Sequence, residues 1–339
     1  MIDLHVVEAK PADAPYLVEV IHAAFGARPP LDPPGTAMQE TAATVEAAVR
    51  EYGGLLARVD GEPAGAILFS ESTPISGSTP PRDDSDPDGG ARWLELRRVS
   101  VHPRFQHRGV ATAMVGCAEE VAEGRSVDGV RLVARAELPA TLAFWRHRGY
   151  VEAGRSGPNV ALVKRIPVEF AVPTATDMRA VGERLAGVVR PGDLVLLAGE
   201  LGAGKTTLTQ GLGAGLAVRG EVTSPTFVIS RVHPSTVSGP PLVHVDAYRL
   251  GGVAELDDLD LDMSLDEAVT VVEWGEGLAE GLAEDRLEVV LTRSTGAAAG
   301  VPSDGESADP RWVRIIPVGR RWVDAPLRAS LSPDAGGAA

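Results

Sequence analysis

Cysteine is nearly absent: Cys117 is the only one in 339 residues. No internal disulfide can form, and no cysteine-based zinc cage is available. Cys117 sits in an apolar helical run, which suits a small buried core residue better than a reactive thiol. Lysine is almost as scarce, with only Lys10, Lys164 and Lys205. The formal charge is −15, and the arginines are scattered among acids. Gripping a phosphate backbone needs clustered cations that release counterions, so any connection to RNA is expected to run through a partner protein. No apolar run approaches the length of about 18 residues needed to span a bilayer. The start, Met1-Ile2-Asp3-Leu4-His5, has neither a basic nor an apolar signal region. A cytoplasmic protein without a membrane partner is expected.

What is present is ordinary globular material, 44% apolar and 23% charged. The length suits two domains of roughly 150 residues each. Residues 71–92, 294–310 and the tail from about 325 are rich in Pro, Ser, Gly, Ala or Asp and read as loops or disorder. The first half alternates helix and strand. Helices are expected at 12–25, 40–51, 109–123 and 139–148, and strands at 54–59, 64–69, 93–101, 130–134 and 159–164. Asp60-Gly61 between two apolar runs is a hairpin signal. A new pattern starts near Arg165-Ile166-Pro167, with a helix at 176–189 and a strand at 194–198. The expected architecture is therefore α/β in two domains, 1–165 and 168–325, with a flexible tail at 326–339.

The second domain carries the clearest chemistry. Gly199-Glu200-Leu201-Gly202-Ala203-Gly204-Lys205-Thr206 fits G-x-x-x-x-G-K-S/T at every fixed position. An apolar strand precedes it and a helix at about 207–216 follows, which is the P-loop context. Glycines let backbone N–H groups turn toward phosphate oxygens, and the helix N-terminus adds the positive end of its dipole. Lys205 reaches the β- and γ-phosphates, and the Thr206 hydroxyl suits Mg²⁺. Guanine-specific P-loop proteins need an Asn-Lys-x-Asp element, whereas the one Asn here is Asn159, in the wrong domain. ATP is therefore the expected nucleotide. Two apolar strands end in acids, Val243-His244-Val245-Asp246 and Val269-Thr270-Val271-Val272-Glu273. Such acids can face the P-loop to hold Mg²⁺ or orient water, or can simply be solvated strand ends. Between helix and acids, Thr223-Ser224-Pro225-Thr226-Phe227 is either a γ-phosphate-sensing segment or only a turn.

Gly199 to Thr207, Ser224-Pro225-Thr226-Phe227, His244-Val245-Asp246-Ala247-Tyr248-Arg249-Leu250 and Val272-Glu273-Trp274, in this order, closely resemble the TsaE (YjeE) family over residues 168–325. That family comprises small bacterial P-loop ATPases of tRNA N6-threonylcarbamoyladenosine synthesis. The resemblance implies that residues 199–207, Lys205 and Thr206 among them, hold nucleotide, with Trp274 beside it. It further implies that Thr206 and Glu273 ligate Mg²⁺, and that Asp246 and Lys205 serve hydrolysis. The implied partners are TsaD and TsaB, which modify adenosine at position 37, so tRNA is met only indirectly. The insertion at 294–310 departs from the family pattern.

In the first domain, Leu96-x-x-Val99-x-Val101-x-Pro103 runs into Gln106-His107-Arg108-Gly109-Val110-Ala111. A strand entering a Q-x-x-G-x-A turn before a helix aims backbone N–H groups at a pyrophosphate. With the later Ala143-Phe144-Trp145-Arg146-His147-Arg148-Gly149-Tyr150, residues 1–165 resemble the GNAT acetyltransferases. The resemblance implies an acetyl-CoA site at Val99, Val101, Gln106, Arg108, Gly109, Val110 and Ala111. Many members carry a Tyr, placed to protonate the leaving thiolate, where this chain has Trp145, and an indole cannot serve as that acid. Glu95 or Glu137 could act as a general base toward an amine, or be a paired or solvated acid. His102 and His107 read as surface residues beside the cofactor. The first domain is then either a working acetyltransferase, of unspecified acceptor, or a module that binds acetyl-CoA without catalysis. A P-loop small-molecule kinase is the third reading of the chain, and no Arg-rich lid supports it.

Overall fold

The computed structural model describes residues 2–70, 91–259, 261, 265–293 and 310–332. The expected loops at 71–92 and 294–310, apart from residues 91, 92 and 310, and the last residues of the tail lie outside them. The chain divides into two compact units, Met1–Ile166 and Pro167–Ala339.

In the first unit, β1 (Leu4–Glu8), α1 (Ala14–Gly26) and α2 (Ala42–Tyr52) precede β2 (Gly54–Val59), β3 (Glu62–Ser70) and β4 (Trp93–Val101). There follow α3 (Val110–Gly124), β5 (Gly129–Arg135), α4 (Pro139–His147), β6 (Val151–Ser156) and β7 (Asn159–Arg165). The sheet order is β1-β2-β3-β4-β5-β7-β6. Asp60 (φ 51°) and Gly61 (φ 82°) make the two-residue turn of the β2–β3 hairpin, both left-handed as that turn requires. Alternate residues of the strands go to opposite faces. Leu55, Ala57 and Phe69 pack with α3 and α4, while Leu56, Ala66 and Leu68 pack with α1 and α2. β4 and β5 are parallel and pair only from Trp93–Gly129 to Leu96–Leu132. Arg98 (φ 54°) then forms a bulge in β4, and the two strands part. A notch opens at that point between the ends of β4 and β5.

The second unit runs β8 (Val168–Val172), α5 (Ala175–Ala186), β9 (Leu194–Ala198), α6 (Lys205–Gly215), β10 (Ser230–His233) and β11 (Leu242–Asp246). It continues with α7 (Val253–Asp257), β12 (Val269–Glu273), β13 (Arg286–Arg293), β14 (Arg311–Val318) and the short helix α8 (Leu327–Leu331). The order is β10-β11-β12-β9-β13-β14-β8, with β11, β12, β9 and β13 parallel. β9 lies between the later strands β12 and β13, so its C-terminal end is the switch point where α/β sheets bind ligands. Val195, Leu197, Val271 and Val289 face α5 and α6, and Leu196, Val245 and Val272 face α7.

Six strands, β1, β6, β8, β10, β13 and β14, were not expected from sequence. All six have an antiparallel partner, and β1, β6, β8 and β10 lie at sheet edges, where charged residues on the open face dilute the apolar pattern. The expected flexible tail from 326 is corrected in part: α8 buries Leu327 and Leu331 in the core of its unit. Each such burial is worth about 1.5–3 kcal/mol, enough to hold a single turn.

α5 and α6 cross with their backbones nearly touching. A Cβ on Gly182 would lie 2.2 Å from the Leu208 carbonyl oxygen, and one on Gly211 2.0 Å from that of Arg179. Gly211→Ala gains helix propensity of about 1 kcal/mol but must push two helices apart, an overpacking cost of about 1–3 kcal/mol or more. The expected result is a lower denaturant midpoint for the second unit, and an unchanged or raised midpoint would show that the crossing has slack.

Candidate functional site

β9 delivers the chain at Ala198 into a loop that turns back on the sheet. Gly199 has φ +139°, and a Cβ there would stand 2.4 Å from the Leu291 carbonyl oxygen. Gly204 (φ +106°) caps α6 in the left-handed conformation, which leaves the first amides of the helix aimed out of the loop. Lys205 is buried at the helix start, and its Nζ donates to the carbonyls of Gly199 (2.7 Å) and Glu200 (3.0 Å). The same ammonium lies 3.5 Å from the ring centroid of Trp274. Burial pushes the Lys205 pKa down, against the charges of Glu273 and Asp246, which push it up.

Parallel pairing places Asp246 of β11 opposite Glu273 of β12, and Glu273 opposite Leu197 of β9. Three strand ends thus reach the loop at one level. The Thr206 hydroxyl donates to Glu273 Oε1 (3.0 Å) and Oε2 (3.2 Å). His244, fully buried, shares Glu273 Oε1 through Nε2 at 2.9 Å. Asp246 Oδ2 accepts from Ser224 Oγ (2.8 Å) and Thr226 Oγ1 (2.6 Å), and its Oδ1 accepts from the Tyr248 backbone N–H (3.1 Å). Trp274 (φ 62°) leans on the Tyr248 ring, with centroids 5.2 Å apart. Around the loop the apolar side chains of Leu201 and Phe227 stand exposed.

The first unit holds a second turn with a left-handed glycine at a helix start. His102 Nδ1 accepts from the Arg104 N–H at 3.2 Å and starts a turn that buries Phe105 beneath Arg104 and Arg108. His107 (φ 61°) and Gly109 (φ 80°) are left-handed, and Gly109 caps α3 as Gly204 caps α6.

Comparison with known proteins follows this division. Residues 172–299 match the family Threonylcarbamoyl adenosine biosynthesis protein TsaE. The tRNA threonylcarbamoyladenosine biosynthesis protein TsaE of Streptomyces coelicolor is 60% identical over 149 residues, which are 44% of this chain and 95% of that protein. The chain belongs to the TsaE family. The TsaE of Mycobacterium bovis is 44% identical over 155 residues, 44% of this chain and 87% of its own length. Residues 22–150 match the Acetyltransferase (GNAT) family, so a GNAT domain precedes the TsaE domain in one chain. A GNAT-family acetyltransferase structure from Streptococcus pneumoniae is 17% identical, covers 48% of this chain and all of that one, and has a TM-score of 0.38.

In the TsaE domain, Gly199, Glu200, Leu201, Gly202, Ala203, Gly204, Lys205, Thr206 and Thr207 wrap one helix start, with Glu273, Asp246 and Trp274 beside it. His244 carries no motif signal of its own beyond its place in an apolar strand two residues before Asp246. The Arg311 guanidinium, donating to the Gly202 carbonyl at 3.2 Å from β14, had no signal at all.

In the GNAT domain, Glu95 accepts from Arg131 Nη2 (2.7 Å) and Nε (3.1 Å), which is the paired-acid alternative rather than an open base. Glu137 is bound by Arg135, whose hydrogen bond is the main cause of its lowered pKa. Trp145 is 2% exposed and packs edge-on against Tyr150 and Phe144 in the core, so the residue at the position of the usual Tyr serves packing.

Two substitutions separate the acids. Glu273→Ala removes the carboxylate beside Thr206 and is expected to raise the Mg²⁺ concentration needed for half-maximal ATP hydrolysis. Asp246→Ala is expected to lower turnover on the order of a hundredfold with nucleotide affinity little changed. Identical Mg²⁺ curves for the two variants would refute this division.

Proposed function

We propose that the second unit is the ATP-binding and ATP-hydrolysing TsaE subunit of tRNA N6-threonylcarbamoyladenosine synthesis. On this reading it acts in the cytoplasm with TsaD and TsaB and reaches tRNA only through them. The observation that carries the reading is the Thr206–Glu273 contact at the P-loop, in a domain 60% identical to a TsaE. The donor set fits Mg²⁺, a hard cation that takes one or two protein oxygens and leaves its other positions to phosphate and water. No cluster of three His, Cys, Asp or Glu side chains among the described residues could hold a metal without the nucleotide. Lys205 would exchange its contacts to Gly199 and Glu200 for phosphate oxygens, while the amides of residues 199–207 cradle them. Mg²⁺, when bound, supplies charge that offsets the negative charge on the phosphates. Asp246 is the acid suited to orient water, and its ties to Ser224 and Thr226 make that segment responsive to what lies in the site.

The fragment 167–339, with TsaB and TsaD, is expected to release phosphate from ATP without forming a phosphorylated small molecule. GTP should compete poorly, and Lys205→Ala should reduce turnover by at least about a hundredfold. Phosphate transfer to a small acceptor would support the kinase reading instead.

For the first unit we infer an acetyl-CoA site at the end of β4 and the start of α3, serving acetyl transfer to an amine. In that reaction the amine nitrogen bonds to the acetyl carbon and the C–S bond breaks, its pair leaving on the thiolate. The amine's proton passes to water, and the thiolate takes one from water, since neither Trp145 nor the paired Glu95 is placed for acid–base work. A slow transferase is expected, and a purely binding module is the alternative that Trp145 favours. Calorimetry with acetyl-CoA is expected to show one site per chain. Gly109→Glu should weaken binding more than Gly109→Ala, which imposes the same left-handed strain without the charge. Absence of binding to the unaltered chain would refute the inference.

A further inference from the structure

Residues 27–40, between α1 and α2, are fastened to both sides of the notch where β4 and β5 part. From β4, Arg98 donates to Glu40 Oε1 at 2.7 Å and to Thr36 Oγ1 at 2.9 Å. From the end of β5, Arg135 donates to the carbonyls of Asp32 (2.7 Å) and Pro33 (2.8 Å). Near the start of the segment, Arg28 donates to the carbonyl of Val99, on β4 beyond its last pairing with β5. The segment therefore crosses the notch as a strap.

Three of the cations around this notch have a carboxylate partner. Arg131 is matched by Glu95, Arg135 by Glu137 and Arg98 by Glu40. Burial pushes the Glu40 carboxyl up, but hydrogen bonds from Arg98 and Thr44 and the charges of Arg98 and Arg97 hold it below the usual range. Arg28 has no carboxylate partner among the described residues. Its contacts are a long hydrogen bond of 3.5 Å to Val99 and the face of Phe25, 3.8 Å from guanidinium carbon to ring centroid. It is half-buried, and burial pushes its pKa down with no neighbouring charge opposing. A guanidinium carries five N–H donors in a planar fork, most of which these contacts leave unused. A desolvated cation without a counter-charge is unfavourable in isolation, and its fork matches a carboxylate in charge and shape.

We propose that Arg28 binds the carboxylate of an amine-bearing acid in the notch under the strap, so that the acetyl acceptor of this unit is such an acid. This rests on the acetyl-transfer reading above. One guanidinium matches one carboxylate charge, which can come from a free amino acid or from an acidic residue of a peptide, and the strap lets the amine lie toward the parted strands.

The test uses the full chain with coenzyme A bound and matched probes: alanine against alaninamide, and the amidated tripeptide Ala-Glu-Ala against Ala-Gln-Ala. At least one acid is expected to bind about tenfold or more tightly than its amide. That ratio should fall toward one in Arg28→Gln and recover in part in Arg28→Lys. Because the ratio is internal to each protein, it does not move with a general loss of folded material. Preference for the first or the second acid identifies a free amino acid or a peptide as the source. Equal binding of acid and amide, a ratio that survives Arg28→Gln, or no acid binding at millimolar concentration overturns the proposal. Thiol release from acetyl-CoA is measured in parallel. Arg28-dependent acid binding without any thiol release would establish the anion site and refute the transferase reading alone.

Discussion

The carboxylate of Glu273 accepts from the Thr206 hydroxyl on one side and meets the buried His244 ring on the other. Those two contacts join α6 to β12 and β12 to β11 at the level where the P-loop begins. The register that makes them possible is set by ordinary parallel pairing, which brings Leu197, Glu273 and Asp246 to adjacent strand ends. Burial makes the arrangement exacting: Glu273 and Asp246 are 2% and 3% exposed, so each carboxylate needs its hydrogen bonds. The near-contact of α5 and α6 at Gly182 and Gly211 holds the P-loop helix in the position that the carboxylate requires. Loop, acids and helix crossing thus form one constraint rather than three.

Both units carry the same backbone device, one suited to a phosphate-bearing ligand. A strand enters a short turn, a left-handed glycine caps the next helix, and the first amides of that helix point outward. The difference lies in what surrounds the turn. Gly204 is followed by a buried lysine and faces two buried acids, which suits a metal-bound polyphosphate. Gly109 has Arg108 and Arg104 beside it, over the Phe105 ring, which suits a pyrophosphate met without a metal. On the proposed reading, the same physics serves two chemistries in one chain.

The P-loop was legible because its whole signal is local: a strand, fixed glycines, lysine and threonine within one short segment. The β2–β3 hairpin was legible for the same reason, through Asp60-Gly61. Strands β13 and β14 were not, because they pair with each other across the 294–310 insertion and many of their intervening residues are arginines and glutamates. α8 was hidden by a Pro-, Ser- and Ala-rich surrounding in which only Leu327 and Leu331 carry the packing. Glu95 shows the limit for single side chains, since its partner Arg131 is brought to it by the β4–β5 pairing. Trp145 shows that a residue can be placed in a motif from sequence while the direction it faces depends on the fold, here into the core against Tyr150.

The proposed support of tRNA threonylcarbamoylation by the P-loop unit can be read out in cells. It is tested most directly by nucleoside mass spectrometry of tRNA from cells depleted of their own TsaE and supplied with this chain or its Lys205→Ala form. N6-threonylcarbamoyladenosine is expected to return with the unaltered chain and to stay depleted with the variant. Equal restoration by both, or by neither at matched protein levels, would contradict that role.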